Sequence, residues 1–327
     1  MILVTGASGF LGQHLIRHLA GKGLAIRALY HAHKPVGDVA QLPGIEWQCR
    51  DLLDIYDVAE AMEGITHIYH CAAIVTFDAR KRHQMLHFNP GSTAHLVDEA
   101  LERGIEKMVH ISSIAALGRS VENKTITEEE EWGESAYNSA YGLSKYLAEA
   151  EVWRGIGEGL NAAILNPGII LGAGDWDKGS AQLMSVVDRE FPFYTHGVNG
   201  WVDVADVVRA SELLMRSDIS AERFILSAGN YSFREVFSAM AAALQKKAPH
   251  IYAGPLMTGI VWRLNVLKSR ITGKGTAITR ETSANAHALS YYDNSKFLQS
   301  FPDFRYTSLP ETIGEMARIF TAQKIKK

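Results

Sequence analysis

Tyr141 and Lys145 are the residues of this chain whose types and spacing most directly indicate chemistry. They are four positions apart, so on a helix they lie on one face, a turn from each other. A free phenol titrates near pKa ~10, and a neighbouring ammonium favours the phenolate and lowers that pKa. The pair therefore indicates proton transfer at neutral pH, although an amphipathic helix can also place these two residues together without a catalytic role.

Three glycines follow the first apolar run of the chain in the pattern Gly6-x-x-Gly9-x-x-Gly12. Glycines let the backbone turn sharply and approach a pyrophosphate, and free amides at a helix start favour negative charge. Because the pattern lies between a predicted strand and a predicted helix, it favours a nucleotide site over a plain turn. The residues expected to bind the cofactor here are Gly6, Ser8, Gly9, Phe10, Leu11 and Gly12.

The end of the second predicted strand bears on which nucleotide binds. A carboxylate there would bind the ribose hydroxyls of NAD, and the segment Ala28–His31 contains none. His31, His33 and Lys34 could instead contact the 2′-phosphate of NADP. The alternative is that all three are surface loop residues. We expect NADP in preference to NAD, with His31 and Lys34 among the contacts.

The first half of the chain alternates β-branched runs with helical patterns, which is typical of a parallel sheet with crossover helices. The predicted strands are Ile2–Thr5, Ala25–Tyr30, Glu46–Cys49, Thr66–Tyr69, Lys107–Ile111 and Ala162–Leu165. The predicted helices are Leu11–Ala20, Ile55–Glu63, Met85–Arg103 and Ala140–Arg154. Pro90 should kink or restart the third of these helices.

Beyond Pro167 the strict alternation stops, and the pattern predicts a mixed region. Its predicted elements are the helix Val204–Met215, the strand Arg223–Leu226 and the helices Phe233–Lys246 and Leu309–Gln323. We predict an α/β fold, a Rossmann-type doubly wound parallel sheet with a smaller mixed C-terminal substrate domain. The predicted dinucleotide-binding domain is 1–167 with a return segment at about 200–228, and the substrate region is 168–199 with 229–327.

The segment Leu256–Ile271 is apolar, but Arg263, Asn265 and Lys268 interrupt it. It is too short and too polar to span a bilayer, so we expect an amphipathic helix that covers a pocket or a partner. The aromatic residues of the second region either line a substrate pocket or belong to a core; they are Trp176, Phe191, Phe193, Tyr194 and Trp201.

Composition excludes several classes of protein. The 327 residues carry a net charge of −3 without the clustered Lys and Arg of a nucleic-acid-binding surface. Two cysteines, Cys49 and Cys71, imply no disulfide framework and no cysteine zinc site. Neither a basic segment nor a long apolar one precedes the first strand, so we expect no signal peptide and a reducing, cytoplasmic location.

Two histidine pairs have helical i, i+4 spacing, His14/His18 and His83/His87. Neither pair has the glutamate of a His-Glu-x-x-His site, and no third ligand is evident. We therefore expect surface histidines and no metal.

The glycine pattern, the Tyr141/Lys145 pair, and Ser112-Ser113 behind the strand that ends at Ile111 together resemble an extended short-chain dehydrogenase/reductase. Ser112-Ser-Ile-Ala-Ala and Ile26-Arg-Ala-Leu are most similar to the dihydroflavonol reductase and 3β-hydroxysteroid dehydrogenase-like branch. Further motifs that resemble this family are Leu52-Leu-Asp54, His70-Cys-Ala-Ala73, Asn89-Pro-Gly91, Asn166-Pro-Gly-Ile169 and Trp201-Val-Asp-Val-Ala-Asp206.

The resemblance implies roles for individual residues. Ser113 would supply a catalytic hydroxyl that hydrogen-bonds the substrate oxygen, with Ser112 as the competing candidate. Tyr141 would pass the proton, as a base in oxidation or an acid in reduction, and Lys145 would lower its pKa and hold the nicotinamide ribose. Asn89 would steady the adjacent helix or relay a proton through water. The other implied cofactor contacts are Asp51 and Leu52 at the adenine, Cys71, Ala72 and Ala73 near the pyrophosphate, and Pro167 and Ile170 near the nicotinamide.

Asp51 fits an ordinary turn or cap equally well. The sequence also departs from patterns of the resembling family. Dihydroflavonol reductases usually have arginine where His31 stands, which leaves the cofactor preference open. Nucleotide-sugar enzymes commonly have Val-Tyr-Gly in place of Ala116-Leu117-Gly118, and arginine in place of Gly200. Both differences weigh against a sugar nucleotide.

The function we predict is an NAD(P)-dependent oxidoreductase that interconverts a secondary alcohol and a ketone of a small-molecule substrate. Two alternatives remain, a nucleotide-sugar epimerase or dehydratase with tightly bound NAD(P), and a protein that binds NAD(P) without catalysis. A homodimer is common in the resembling family, and we expect no nucleic-acid partner and no membrane span.

Overall fold

The structure of the chain, a computed structural model, describes residues 1–35, 37–118, 125–133, 138–272 and 279–325, with the backbone alone for residues 266–272. The elements of the first half are β1 (Ile2–Thr5), α1 (Phe10–Ala20), β2 (Ile26–Tyr30), β3 (Ile45–Cys49), α2 (Ile55–Ala61), β4 (His67–His70), α3 (Arg82–Glu102), β5 (Lys107–Ile111), α4 (Ala140–Gly157) and β6 (Ala162–Pro167).

The second half contains shorter strands. Its elements are β7 (Ile169–Leu171), α5 (Gln182–Asp188), β8 (Phe193–Tyr194), β9 (Val198–Asp203), α6 (Val204–Arg216), β10 (Glu222–Leu226), β11 (Gly229–Ser232), α7 (Phe233–Ala243), β12 (Ile251–Tyr252), α8 (Pro255–Thr272), α9 (Arg280–Asn285), α10 (Ser295–Ser300) and α11 (Leu309–Ile325).

Seven parallel strands form the large sheet, in the order β10-β6-β5-β4-β1-β2-β3. The helices α1 and α6 pack on one face through residues such as Leu15 and Val207. On the other face α2, α3 and α4 bury residues such as Val58, Leu96 and Val152. Covering both faces is what an all-parallel sheet requires, and it explains why central strands such as β5 and β6 are buried along their whole length. The predicted Rossmann-type doubly wound sheet is confirmed.

The strand order reverses between β1 and β4, because β2 and β3 lie on one side of β1 and the later strands on the other. In open α/β sheets, ligands bind at the carboxyl ends of the strands at such a reversal. A nucleotide site is therefore expected at the loops that follow β1 and β4.

A smaller mixed assembly follows, as predicted. A three-stranded sheet has the order β11-β9-β7, and β8 and β12 form a parallel pair. The helices α5, α7 and α11 share a core with it, which includes Met184, Met240 and Ile313. Trp176 and Trp201 belong to or pack against this core, whereas Tyr194 contacts the rings of His196 and Tyr252, so the second-region aromatics do not form one wall.

The predicted restart at Pro90 is wrong, since α3 continues through it as one helix. A proline removes one helical hydrogen bond and costs about 3 kcal/mol in a helix interior. Here α3 packs along α4, and this buried contact outweighs the local cost. The segment Leu256–Ile271 is helical, as predicted, within α8. Among the described residues no helix combines the length and the apolar character needed to cross a membrane.

Candidate active site

The turn between β1 and α1 can be built only from glycine at two positions. Gly6 has φ +63°, and a Cβ there would lie 2.7 Å from the backbone nitrogen of Ala72. A Cβ on Gly12 would lie 2.2 Å from the carbonyl oxygen of Gly6. The turn is therefore pressed against the segment behind β4, and the structure brings Gly6, Cys71 and Ala72 together.

The N-terminus of α1 is a suitable site for a diphosphate. Gly9 occupies the N-cap without a side-chain hydrogen bond to the helix, and the first turn contains no acidic residue. The first amides of a helix have no intrahelical acceptor, and with the helix dipole they favour an anion. The residues present therefore fit the diphosphate of a dinucleotide. Ser8, Phe10 and Leu11 flank this start and are partly buried.

The residues expected to bind the adenine end of the cofactor follow β2 and β3. The imidazole Nε2 of His31 is 3.9 Å from the Asp51 carboxylate, and both side chains are largely exposed. One Asp51 oxygen accepts a hydrogen bond from the backbone N–H of Leu53, so Asp51 also acts as the turn residue considered above. Leu52 is buried in the core, and Lys34 is exposed. The structure thus brings His31 and Asp51 together.

Ser113 is the N-cap of a short helical turn behind β5. Its hydroxyl accepts a hydrogen bond from the N–H of Ala115 and lies beside the phenol of Tyr141, whose pKa it lowers. Ser112 is buried as well, and its hydroxyl has no hydrogen-bond partner within the described residues. The contact with the phenol favours Ser113 over Ser112 as the group that works with Tyr141.

Lys145 lies one turn beyond Tyr141 on α4, as the spacing predicts. Its ammonium is buried and donates to the carbonyl oxygen of Ile111 at 2.7 Å. An ammonium has three N–H donors, so two remain for other groups. Burial lowers the pKa of Lys145 to about 8, while the nearby carboxylate of Glu149 raises it.

One electrostatic expectation is not met in this structure. We predicted that Lys145 lowers the pKa of Tyr141, but burial of the phenol raises that pKa, and only the hydrogen bond from Ser113 opposes the rise. The physical reason is that the phenolate is taken out of water while the Lys145 ammonium is directed at Ile111. At neutral pH Tyr141 is therefore a neutral phenol, which is a proton donor.

Asn89 connects the loop behind β4 with α4. Its side-chain oxygen accepts from the N–H of Ile74, and its amide donates to the carbonyl of Ile74 and to the hydroxyl of Ser144. Both amide hydrogens are thus occupied. Two roles were considered for Asn89, to steady the adjacent helix or to relay a proton. This geometry agrees with the first, since an amide with no spare hydrogen is a poor proton relay.

Ala73 follows the segment that touches Gly6, and Pro167 ends β6 beside the end of β5. Ile170 lies in β7, which pairs with β9 of the smaller sheet. Ala73 lies beyond the carboxyl end of β4 and Pro167 at that of β6, on the same edge of the sheet as Gly6 and Ser113. A further side chain, Phe77, meets Tyr141 edge to face with ring centroids 5.8 Å apart, and sequence reasoning did not find it.

Sequence reasoning also missed a buried polar network below the catalytic residues. The Asn166 amide donates to the Ser113 carbonyl at 3.0 Å and to the Glu149 carboxylate at 2.8 Å. The other Glu149 oxygen accepts from the guanidinium of Arg223 at 3.0 Å. The network ties the Ser113 backbone to α4. A sequence signal existed, because Glu149 continues the spacing of four from Tyr141 through Lys145 on the same helix face.

Two histidines lie fully buried behind Lys145 on adjacent strands. The rings of His70 and His110 are 5.0 Å apart. His70 is hydrogen-bonded to the hydroxyls of Thr5 and Thr93, whereas neither ring nitrogen of His110 has a partner in the described part of the chain. Burial, followed by the Lys145 ammonium, lowers the pKa of His70 to about 3 and that of His110 well below its usual value. Both imidazoles are therefore neutral in the folded protein.

These histidines should make the fold sensitive to acid. An unfolded histidine titrates near pKa ~6.5, so below that pH the unfolded chain binds protons that the folded chain does not. Stability is fully present above about pH 6.5 and is lost as the pH falls towards the folded pKa of about 3 for His70. At pH ~5, His70 alone should lower the free energy of unfolding by about 2 kcal/mol.

Urea unfolding at about pH 7.5 and about pH 5 measures this effect, with His110→Leu as the informative variant. The variant removes one of the two groups, so it should lose clearly less stability between the two pH values than the wild type. Equal losses in the two proteins would show that His110 is not the acid-sensitive group.

No three His, Cys, Asp or Glu side chains gather as a metal site within the described ranges. The predicted pair His83/His87 has ring centroids 6.4 Å apart, and His18 is paired with Glu212.

A Rossmann-type sheet with a glycine-lined helix start beside a Ser–Tyr–Lys cluster defines the extended short-chain dehydrogenase/reductase class. The model of the NAD-dependent epimerase/dehydratase family matches residues 2–226. The chain belongs to that family, and the protein is an enzyme of the extended short-chain dehydrogenase/reductase type. The resemblance stated from the motifs is thereby confirmed, and the hypothesis of a non-catalytic binder is set aside.

The chain is similar to known proteins over most of its length. Sterol demethylase protein B of Methylococcus capsulatus is 29% identical over 287 residues, which cover 84% of each chain. A putative dihydroflavonol 4-reductase of Synechocystis sp. is 29% identical over 254 residues, 75% of this chain and 73% of the relative. The crystal structure of gox2253 superimposes with a TM-score of 0.83 at 26% identity, covering 99% of this chain and 98% of that one.

Proposed function

We propose that the enzyme interconverts a ketone and a secondary alcohol with a nicotinamide cofactor, using Ser113, Tyr141 and Lys145. The observation that carries this proposal is the partly buried phenol of Tyr141, which lies beside the Ser113 hydroxyl and precedes the buried Lys145 ammonium by one helical turn. A protein that only positions a nucleotide has no need of a proton donor held in this way.

The residues divide the chemistry as follows. The bound nicotinamide supplies or accepts the hydride. Ser113 and Tyr141 donate hydrogen bonds to the substrate oxygen, which stabilises the charge that develops on it in reduction. Tyr141 then gives its proton to that oxygen, and the Lys145 ammonium stabilises the phenolate left behind. The two free N–H groups of Lys145 are available for the nicotinamide ribose.

The protonation state of Tyr141 favours catalysis in the direction of carbonyl reduction. A phenol whose pKa is raised by burial is fully protonated at neutral pH and ready to act as an acid. Oxidation would need the phenolate first. The name of the dihydroflavonol 4-reductase relative agrees with carbonyl reduction.

The cofactor contacts proposed are the residues named in the sequence analysis. Gly6, Gly9 and Gly12 would hold the diphosphate, with Cys71–Ala73 across the crevice. Asp51 and Leu52 would border the adenine, and Pro167 and Ile170 the nicotinamide. Asn89 would act through the loop at Ile74 and through Ser144, as a positioning residue.

For the choice between the two nicotinamide cofactors we propose NADP. No carboxylate ends β2, and His31 and Lys34 are exposed behind it. A charged hydrogen bond to a phosphate contributes about 1.5–3 kcal/mol. Replacing both residues by alanine should therefore raise KM for NADPH roughly tenfold or more. KM for NADH should change little, and this serves as the internal control; equal changes for both cofactors would contradict the assignment.

A nucleotide-sugar substrate is the competing proposal, and one packing feature argues against it. A Cβ on Gly200 would lie 2.9 Å from the Ser227 hydroxyl and 3.1 Å from the ring of Tyr292. An arginine side chain, common at this place in nucleotide-sugar enzymes, has no room there. The edge-to-face contact of Phe77 with Tyr141 instead gives the reacting centre an apolar wall.

The test is a panel of apolar ketones with NADPH and NADH, run beside UDP- and dTDP-sugars. We expect consumption of reduced cofactor matched mole for mole by alcohol product. Conversion of a sugar nucleotide without net use of added cofactor would establish the epimerase or dehydratase function instead.

A further inference from the structure

The helix α8 exposes apolar side chains on the face that is turned away from the protein. Leu256, Ile260 and Leu264 are 88%, 60% and 60% exposed, and Met257 beside them is 39% exposed. Residues four apart share a helix face, so three of these side chains form a stripe. A surface helix normally shows polar residues to water, and monomeric proteins rarely expose a large apolar patch.

The opposite face of α8 is the one that packs on the protein. Thr258, Val261, Trp262 and Asn265 are partly buried, at the helical spacing of a second face. The Thr258 hydroxyl is hydrogen-bonded to His287 at 2.9 Å. Since Val261 and Trp262 also lie on this face, α8 carries apolar side chains on both faces while lying at the surface.

The sequence of this segment carries charges of one sign. From Pro255 to Arg280 the sequence contains no Asp or Glu, although the whole chain has a net charge of −3. The basic residues of this segment are Arg263, Lys268, Arg270, Lys274 and Arg280. Among the described residues no carboxylate pairs with Arg263, whose guanidinium stacks on Trp262 with its carbon 4.8 Å from the ring centroid.

We infer that α8 docks on a membrane surface that contains anionic lipids. An apolar stripe on a helix, in a segment of sequence whose charged residues are all lysine or arginine, is the pattern of a helix that lies in the lipid interface without spanning it. Basic residues near the surface are attracted by anionic headgroups. A second copy of this chain fits less well, because two facing α8 helices would bring like charges together.

Docking of α8 on a membrane would also affect the active site, because α8 is connected to the catalytic helix α4 through α9. The next helix, α9, contains Glu281, whose carboxylate accepts a hydrogen bond from the N–H of Ala140, the residue before Tyr141. Docking through α8 would hold the start of the catalytic helix near the lipid interface, where apolar substrates dissolve. The lipid contact itself does not depend on the reaction proposed above.

Flotation of the full chain with vesicles tests the inference without any measurement of turnover. Phosphatidylcholine vesicles containing phosphatidylglycerol should bind the protein, and vesicles of phosphatidylcholine alone should bind it weakly. Binding should fall with added salt, because the charges are at the surface. A failure to bind the anionic vesicles, or equal binding to both kinds, would overturn the inference.

The informative variant combines Leu256→Ser, Ile260→Ser and Leu264→Ser. It should lower the partition coefficient between anionic vesicles and water by at least about tenfold. The matched control is Ile55→Ser with Tyr56→Ser and Leu213→Ser, three exposed apolar residues of other helices. The control should bind as the wild type does. Undiminished binding by the α8 variant would exclude this helix. So would a wild-type dimer that becomes monomeric in the α8 variant, since a second copy would then cover the stripe.

Discussion

Tyr141→Phe should lower kcat by about 10³-fold while the dissociation constant of the cofactor stays unchanged. A positioned acid typically contributes 10²–10⁴-fold to the rate, and phenylalanine keeps the ring while removing the phenol that gives its proton to the substrate oxygen. The ring contacts Phe77, and phenylalanine can retain that edge-to-face contact. Steady-state kinetics with the best ketone of the panel, together with cofactor titration, measures both quantities.

Tyr146→Phe is the control, because Tyr146 lies on the same helix but stacks on Trp132. It should keep wild-type kcat. Tyr141→Phe with full activity would remove the phenol from the mechanism, whatever the behaviour of the control.

Glu149→Gln should have the second large effect, on stability and on the pH profile together. The carboxylate is buried with the Arg223 guanidinium, and removal of one partner of a buried pair typically costs 3–5 kcal/mol. The same carboxylate raises the pKa of Lys145, so its loss lowers the pKa of that ammonium further. Activity that needs protonated Lys145 should then decline at a lower pH than in the wild type.

Two measurements separate these effects, urea unfolding for stability and kcat/KM against pH for the ammonium. Glu151→Gln is the matched control, since Glu151 is on the same helix and pairs with the partly exposed Arg154. Surface pairs contribute about 0–1 kcal/mol, so the control should be nearly neutral. An unchanged alkaline limb in Glu149→Gln would show that the network is structural only.

The first half of the fold could be predicted because its signals are local. The strand Lys107–Ile111 has the bounds that periodicity predicted. The helix α4 begins at Ala140, as predicted. The strands of the second region are short, down to two residues in β8, and they are formed by pairing with distant segments. β8 and β12 have two residues each, too few for any periodicity, and β7 and β11 are recognisable only through their pairing with β9, so these four strands could not be predicted.

For the active site, the sequence predicted which residues take part but not their electrostatics or their distant partners. The family resemblance led us to expect Ser113 beside Tyr141, whereas the close approach of Gly6 to Ala72 follows only from the structure. Spacing could not give the sign of the Tyr141 pKa shift, because burial depends on the assembled fold and here it outweighs the opposing effect of Ser113. Asn166 and Arg223 are far from the helix in sequence and meet Glu149 only through the sheet.

The central claim is that hydride passes between the cofactor and the substrate carbon beside Tyr141, and isotope transfer tests it most directly. NADPH with deuterium at the transferred position of the nicotinamide would be incubated with the ketone substrate, and the alcohol analysed by mass spectrometry and NMR. We predict one deuterium on the carbinol carbon of each product molecule. Product without deuterium, formed while the labelled cofactor is not consumed, would contradict the account.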